Sequence, residues 1–226
     1  MSVTVKICGL STIEALDAAL DAGADMVGFV FFAPSPRHVT FETARALGRR
    51  VRGRGQKVAL TVDADDALLD GIVEALQPDL LQLHGHEPPA RVAALKRRFS
   101  LPVMKAIAVA ADQDLAAVAD YAAVADRLLF DARAPREATR PGGLGNAFDW
   151  HLLQDIRPGL PFMLSGGLDA ANVAEALRIT QAPGVDISSG VERAPGEKDP
   201  EKIRAFVRAA RQAAERLYAS AITSLA

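Results

Sequence analysis

The sequence has little cysteine, no excess of either charge and no long hydrophobic run. Because Cys8 is the single cysteine among 226 residues, an internal disulfide is excluded. The 26 Lys and Arg residues against 28 Asp and Glu residues leave a net charge of −2. That balance lacks the strong positive field that nucleic-acid or anionic-membrane binding needs. We therefore expect a small-molecule partner, with no nucleic acid and no membrane bound.

Targeting signals are equally scarce. The amino terminus lacks the basic and then apolar pattern of a secretory signal. The most apolar stretch, residues 26–33, is far shorter than the ~20 residues of a membrane span. One thiol and no export signal predict a cytoplasmic location. The chain is long enough to bury a substantial core, either as one barrel-sized domain or as two small domains.

What the sequence does contain is a regular alternation of apolar runs and amphipathic segments. Strict alternation of strand and helix implies a parallel sheet, and eight such units in about 220 residues fit a closed barrel better than an open sheet. No segment has the composition of a domain linker. We expect an α/β fold with one domain, a (β/α)8 barrel, over residues 1–226. The predicted strands span residues 3–8, 25–32, 57–62, 79–84, 103–107, 127–131, 162–165 and 185–188.

A helix is predicted after every strand, the sixth starting near Trp150 and the last running from residue 200 to about 218. Residues 133–146 are too long and too rich in Gly and Pro for an ordinary connection, so we interpret them as an active-site lid after strand six. Helix entries are marked by aspartates, whose side chains accept from free backbone N–H groups. The predicted capping residues are Asp65, Asp112 and Asp169.

Two candidate proton-transfer groups stand at predicted strand ends, where barrel enzymes collect catalytic side chains. Cys8 ends strand one, and since free cysteine is often buried, its position leaves packing and chemistry both open. Asp131 ends strand six after a buried run, although a lone aspartate is more often a cap or a surface carboxylate. The two strands are not neighbours, so we expect these side chains to flank a substrate in an acid–base arrangement.

Small residues follow the last two predicted strands. Consecutive glycines and serines let backbone N–H groups approach an anion, and loops seven and eight of barrels commonly hold phosphate. Glycine pairs also form ordinary turns, but two such loops on adjacent strands favour a phosphate site. The predicted phosphate-binding residues are Gly166, Gly167, Ser188, Ser189 and Gly190.

Three further polar residues are expected to face the barrel interior. Lys6 and Asp186 lie on strands that become neighbours when the barrel closes, and both a buried ion pair and a substrate contact remain open for them. His84 shares a strand face with Gln82 and is a candidate pocket residue. A metal site at His84 and His86 lacks a third ligand, so no metal is expected.

Together these residues resemble one family, the phosphoribosylanthranilate isomerases, from about residue 4 to residue 212. Residues 213–226 extend beyond the resemblance and have no assignable role. Leu144 stands in the lid where the family pattern has threonine. The motifs that carry the resemblance are Lys6-Ile-Cys-Gly-Leu10, Phe32-Ala-Pro-Ser-Pro-Arg37, Gln82-Leu-His-Gly85, Gly142-Gly-Leu-Gly145, Ser165-Gly-Gly-Leu168, Asp186-Ile-Ser-Ser-Gly-Val-Glu192 and Pro195-Gly-Glu-Lys-Asp199.

The resemblance implies a cofactor-free enzyme of tryptophan biosynthesis, a monomer or a homodimer. Its reaction would be the Amadori rearrangement of N-(5-phosphoribosyl)anthranilate to 1-(2-carboxyphenylamino)-1-deoxyribulose 5-phosphate. On this basis Asp131 is the general acid, Cys8 is the general base, and Arg37 binds the anthranilate carboxylate. Lys6, His84 and Asp186 are further substrate-binding candidates.

A thiol with a pKa of ~8.5 is only slightly ionised at neutral pH, so the site is expected to favour the thiolate. The candidate sources are Lys6 and a helix N-terminus after Gly9.

Two other functions remain. A histidine-pathway isomerase, or an enzyme that combines both activities, would use an aspartate where Cys8 stands. A non-catalytic phosphosugar-binding barrel would keep the phosphate loops but need not keep Cys8, Asp131 and Arg37 together.

Overall fold

Eight parallel strands close into a barrel in chain order, and the eighth strand hydrogen-bonds to the first. The computed structural model describes residues 3–135, 137–138, 140–145 and 147–223. The barrel strands are β1 Thr4–Cys8, β2 Met26–Phe31, β3 Gln56–Thr61, β4 Leu80–Leu83, β5 Val103–Val109, β6 Arg127–Ala132, β7 Phe162–Leu164 and β8 Gly184–Ile187.

Helices surround the barrel, as right-handed crossovers between parallel strands require. A short antiparallel hairpin of β9 (Glu192–Ala194) and β10 (Glu197–Lys198) lies between β8 and the last helix. The helices are α1 Ile13–Asp21, α2 Phe41–Val51, α3 Asp66–Leu76, α4 Pro89–Phe99, α5 Val118–Ala122, α6 Val173–Thr180 and α7 Pro200–Thr223. Helical 3-10 turns occur at Asp112–Ala117, Trp150–Leu153 and Ser189–Val191.

The predicted barrel is confirmed, and each of the eight strands lies within two residues of its predicted ends. The last helix is longer than predicted, because α7 continues to Thr223. Residues 213–223 therefore belong to this helix, and Ala213 is buried in the core. Residues 224–226 lie outside the described part of the chain.

The predicted sixth helix is wrong. Between β6 and β7 the described residues form only the 3-10 turn Trp150–Leu153. The lid takes up about half of this connection, and Pro158, Gly159 and Pro161 then prevent a helix from continuing toward β7. Trp150 packs against the core from this turn.

The capping predictions hold at two of three positions. Asp65 and Asp169 accept from backbone N–H groups near the starts of α3 and α6. Asp112 does not cap a helix, since it is the first residue of a 3-10 turn. Asp114 instead reaches back and accepts from the two backbone N–H groups that precede Asp112.

The barrel interior is apolar at one end and polar at the other, because alternate residues of each strand face inward. On β1, Lys6 and Cys8 share the inward parity, whereas Val5 and Ile7 pack toward the helices. The apolar end is filled by Met26, Val58, Leu80, Met104, Ala106, Leu129 and Met163. Polar side chains follow toward the carboxyl ends of the strands, where a site can form.

The packing of α7 on the barrel generates a stability prediction. Phe206→Ala is expected to lower the free energy of unfolding by about 3–5 kcal/mol, since it empties a fully buried ring position. Tyr218→Ala on the same helix is the matched control, because Tyr218 is exposed, and it is expected to change stability by less than about 0.5 kcal/mol. Urea denaturation measures both. Equal losses for the two variants would contradict the packing described.

Candidate active site

A cleft opens at the carboxyl ends of the barrel strands. It is lined from opposite sides by Cys8 on β1 and Asp131 on β6. The segment after β6 covers part of it. Other cleft-lining residues that the sequence singled out are Arg37, His84, Asp186, Gly166, Gly167, Ser188, Ser189 and Gly190. The predicted site residues therefore meet at one place, except Lys6, which lies behind the cleft.

Cys8 occupies a space that a glycine on the neighbouring strand leaves open. It pairs with Gly28 on β2, and a Cβ atom at Gly28 would lie 2.8 Å from the Cys8 Sγ and 3.2 Å from the Lys6 Cε. Any other residue at position 28 would therefore displace the thiol. Sequence reasoning missed this role, although a glycine inside a strand signals such a close approach.

Lys6 and Asp186 form a buried ion pair across the seam between β1 and β8. The Lys6 Nζ lies 2.8 Å from the Asp186 Oδ2, and the lysine is fully buried. Burial opposes the lysine charge, but Asp186 and Cys8 outweigh it and raise the pKa of Lys6. Of the two interpretations open for this pair, the structure shows the ion pair. Asp186 also lines the cleft.

Burial controls the ionisation of Cys8. It raises the pKa of the Cys8 thiol, while the positive charges of Lys6 and Lys198 act in the opposite direction and Asp186 adds to the increase. Lys6 therefore acts in the expected direction on the pKa of Cys8, but burial outweighs it. Lys198 is a second nearby cation that sequence reasoning did not assign.

Asp131 ends a hydrogen-bonded chain of three side chains. The His84 Nε2 lies 3.1 Å from the Asp131 Oδ2, and the Gln82 Nε2 lies 2.9 Å from the His84 Nδ1. His84 and Asp131 stand on either side of β5, where the inward residue Ala108 pairs with Asp131. A small side chain there leaves room for the two groups to meet. Sequence reasoning placed His84 in the pocket but did not find this contact.

Arg37 is buried, and part of its guanidinium is already paired. Its Nε and Nη2 lie 2.7 and 2.8 Å from the two carboxylate oxygens of Glu192, and Nη2 also donates to the Gly143 carbonyl at 3.0 Å. Within the described part of the chain, the Nη1 protons have no hydrogen-bond partner. The Nε and Nη2 edge of the guanidinium, which can pair bidentately with a carboxylate, is thus used inside the protein. The Nη1 group remains for a ligand.

Lys198 completes this network from the β9–β10 hairpin. Its Nζ lies 2.7 Å from the Glu192 Oε1 and 2.9 Å from the Ser188 carbonyl oxygen. Burial lowers the pKa of Lys198 to about 8, against the opposing effect of Glu192. Sequence reasoning missed both roles, because charges in a short hairpin are usually solvent-exposed and nothing in their spacing distinguishes these two.

The glycine and serine loops line the cleft near the ends of β7 and β8. Gly166 has φ +88°, and a Cβ atom there would lie 2.6 Å from the Ala132 backbone nitrogen. Glycine is therefore required for this close turn. Such loops can direct backbone N–H groups at an anion, as the sequence predicts.

The predicted lid covers the cleft through its described residues 140–145, all of which line it. Gly142 packs so close to Asp131 and His84 that an added Cβ atom would lie within 2.7 Å of both. The Arg140 Nε is buried and has no hydrogen-bond partner among the described residues. Of the predicted lid, Arg136, Thr139 and Asn146 lie outside the described residues.

The described ranges also bear on a metal site and on a membrane span. No three His, Cys, Asp or Glu side chains in them come together as a metal-binding group. No helix in them is both long and apolar enough to cross a membrane.

Comparison with known proteins gives one consistent family. The family model described as N-(5'phosphoribosyl)anthranilate (PRA) isomerase matches residues 5–209. The N-(5'-phosphoribosyl)anthranilate isomerase of Bradyrhizobium diazoefficiens is 68% identical over 211 residues, covering 93% of this chain and 95% of the relative. An isomerase of the same name from Rhodopseudomonas palustris is 70% identical over 217 residues, covering 96% and 99%.

Similar solved structures indicate the same family as the sequence relatives. The phosphoribosyl anthranilate isomerase of Thermotoga maritima superposes with a TM-score of 0.84 at 33% identity, covering 93% of this chain and 99% of that one. A phosphoribosyl anthranilate isomerase in complex with reduced 1-(o-carboxyphenylamino)-1-deoxyribulose 5-phosphate superposes with a TM-score of 0.81 at 31% identity, with the same coverage. The chain belongs to the phosphoribosylanthranilate isomerase family.

Proposed function

We propose that this protein isomerises N-(5'-phosphoribosyl)anthranilate to 1-(2-carboxyphenylamino)-1-deoxyribulose 5-phosphate in tryptophan biosynthesis, by general acid–base catalysis. One observation supports the mechanism above all. Cys8 and Asp131 line one cleft from β1 and β6, together with Arg37 and the glycine and serine loops. This arrangement offers two proton-transfer groups and two regions suited to anions in one cleft, and the substrate carries a carboxylate and a phosphate at its ends.

The first step is ring opening with Asp131 as the acid. Asp131 gives its proton to the furanose oxygen, the C1–O bond breaks, and the lone pair of the anthranilate nitrogen forms a C1=N iminium. His84 touches the same carboxyl group and so orients it toward the substrate. Asp131 leaves this step as a carboxylate.

The second step is removal of the C2 proton by Cys8. The thiolate takes this proton, the C–H electron pair forms the C1=C2 bond, and the iminium nitrogen accepts the displaced pair. The product is an enolamine. It becomes the ketone when C1 gains a proton and the hydroxyl on C2 loses one. Because the iminium acidifies the C2 proton, these side chains suffice for the chemistry.

The two ends of the substrate define its orientation in the cleft. The phosphate is assigned to Gly166, Gly167, Ser188, Ser189 and Gly190. The anthranilate carboxylate is assigned to the Nη1 group of Arg37, since the other edge of the guanidinium is bound to Glu192. Arg140 is a second cation of the cleft, and its buried Nε has no partner among the described residues.

Assembly and location complete the proposal. We expect a single-domain enzyme in the cytoplasm, as a monomer or a homodimer, with no nucleic-acid or membrane partner. Among the similar structures, one is of mutually generated monomers of the dimeric isomerase from Thermotoga maritima.

The activity is tested with freshly generated phosphoribosylanthranilate and the purified protein. Loss of the fluorescence of the anthranilate derivative is the expected result, with appearance of the ketose by chromatography. A protein that binds this substrate without converting it would be the non-catalytic barrel. Conversion of the histidine-pathway substrate alone would assign the chain to that isomerase.

The proton-transfer roles predict large losses of turnover. Cys8→Ala and Asp131→Asn are each expected to lower kcat by ~10²–10⁴, the usual range for a positioned acid or base. Steady-state kinetics measure the loss, and circular dichroism checks that both variants fold. A variant that keeps most of the wild-type kcat removes its residue from the mechanism.

The carboxylate contact of Arg37 predicts an effect on binding. Arg37→Ala is expected to raise KM much more than it lowers kcat, because the contact is similar in the ground state and the transition state. Arg133→Ala is the control, since Arg133 also lines the cleft but is paired with Asp114. A normal KM in the Arg37 variant would refute the assignment.

A further inference from the structure

We propose that Lys198 and Glu192, on the hairpin after β8, are positioning residues for this reaction. Lys198 supplies, in addition to Lys6, a positive charge that favours the thiolate of Cys8, and Glu192 fixes the direction of Arg37. The inference rests on the proposed function, but its main test measures the reactivity of the Cys8 thiol and does not require catalysis.

Lys198 is held rigidly by buried partners. Its ammonium group contacts the Glu192 carboxylate at 2.7 Å and both the carbonyl and the hydroxyl oxygen of Ser188 at 2.9 and 3.1 Å. The side chains of Lys198 and Glu192 are 1% and 4% exposed. A cation with three oxygen partners in a buried setting has little freedom to move away from Ser188.

The register of the barrel places Ser188 beside Cys8. Ile7 pairs with Ile187 where β1 meets β8, and Cys8 and Ser188 are the next residue on each strand. Adjacent strands lie about 4.8 Å apart, so the ammonium group bound to Ser188 is close to the thiol. The effect is mutual: the charge of Lys198 lowers the pKa of Cys8, and an ionised Cys8 raises the pKa of Lys198.

Lys6 and Lys198 both favour the thiolate, but their charges differ in how far neighbouring carboxylates balance them. The positive charge of Lys6 is matched by Asp186, which itself disfavours the thiolate. Arg37 and Lys198 share the single carboxylate of Glu192. These three side chains together therefore carry one positive charge in excess. In a buried site this excess acts strongly on a neighbouring thiolate. The group that contains Lys198 therefore opposes, in part, the effect of burial on the pKa of Cys8.

Glu192 orients Arg37 through two hydrogen bonds. Its two oxygens hold the Nε and Nη2 of Arg37 in one plane, and Arg37 with Lys198 lowers the pKa of Glu192 despite its burial. The carboxylate is thus present over the working pH range. With that edge fixed, the Nη1 of Arg37 is the group left for the substrate.

The pH dependence has a definite sign. The pKa of Lys198 is lowered to about 8, so its charge is present below that pH and is lost above it. Its support for the thiolate disappears in the same window. The charged or titratable groups that face Cys8 and Lys198 are Lys6 on β1, Arg37 after β2, Asp186 on β8, Glu192 on β9 and, across the cleft, His84 and Asp131.

The test is the rate at which iodoacetamide alkylates Cys8, the sole thiol of the chain, between pH 6.5 and 9.5. Lys198→Met is expected to react about tenfold more slowly than the wild type at pH 7, the effect of a one-unit rise in thiol pKa. The difference should shrink above pH 8, where wild-type Lys198 is itself neutral. Lys198→Arg stays charged and should exceed the wild type above pH 8.

Lys202→Met is the matched control and should leave the rate unchanged, because among the described residues Lys202 donates only to the backbone carbonyl of Glu192. If Lys198→Met does not fold, the comparison of Lys198→Arg with the wild type above pH 8 decides the question. Equal alkylation rates for Lys198→Met, Lys198→Arg and the wild type would overturn the inference. A difference in rate that is constant with pH would overturn it as well. Active Cys8→Ala enzyme would instead overturn the proposed base and leave this electrostatic result standing.

The role of Glu192 predicts a coupled effect on binding. Glu192→Gln is expected to raise KM severalfold with a smaller change in kcat, because an amide offers Arg37 only one acceptor oxygen. In an Arg37→Ala background the same substitution should have no further effect on KM. Independent, additive effects in this double-mutant cycle would show that Glu192 does not act through Arg37.

Discussion

Closure of the barrel between β1 and β8 is the constraint on which the site depends. The buried pair of Lys6 and Asp186 lies at this seam, and breaking it by removing one partner would leave an uncompensated charge in the interior. The same register sets Cys8 beside Ser188. Every group that acts on the thiol, including the hairpin that follows β8, is therefore placed by the way the first and last strands meet.

The closed barrel also separates the proposed acid, Asp131, from the proposed base, Cys8. In the proposed mechanism Asp131 donates one proton and Cys8 accepts another, and a direct hydrogen bond between them would let the pair exchange a proton. No such bond joins them in the part of the chain that the structure describes. Each group instead has its own partners, His84 on one side and the cations near Ser188 on the other. A substrate between them can receive one proton and lose another.

Much of the fold and of the candidate site could be predicted from the sequence, because strand parity and strand ends are local properties. Cys8, Asp131 and the two small-residue loops were all located by their positions after apolar runs. Contacts between side chains that are far apart in the sequence could not be predicted in this way. His84 reaches Asp131 because Ala108 is small, and Glu192 and Lys198 are buried because the hairpin folds back over Arg37. In place of the predicted sixth helix the described residues form a 3-10 turn, and Pro158 and Pro161 prevent a helix from continuing to β7.

The central claim is that Cys8 removes the C2 proton of the substrate. The most direct measurement is a single-turnover experiment with substrate deuterated at C2, followed by mass spectrometry of the label. The account predicts that wild-type protein removes the deuterium and that Cys8→Ala, folded and still binding the substrate, does so at least ~10²-fold more slowly. Loss of the label at the wild-type rate in the Cys8 variant would contradict it.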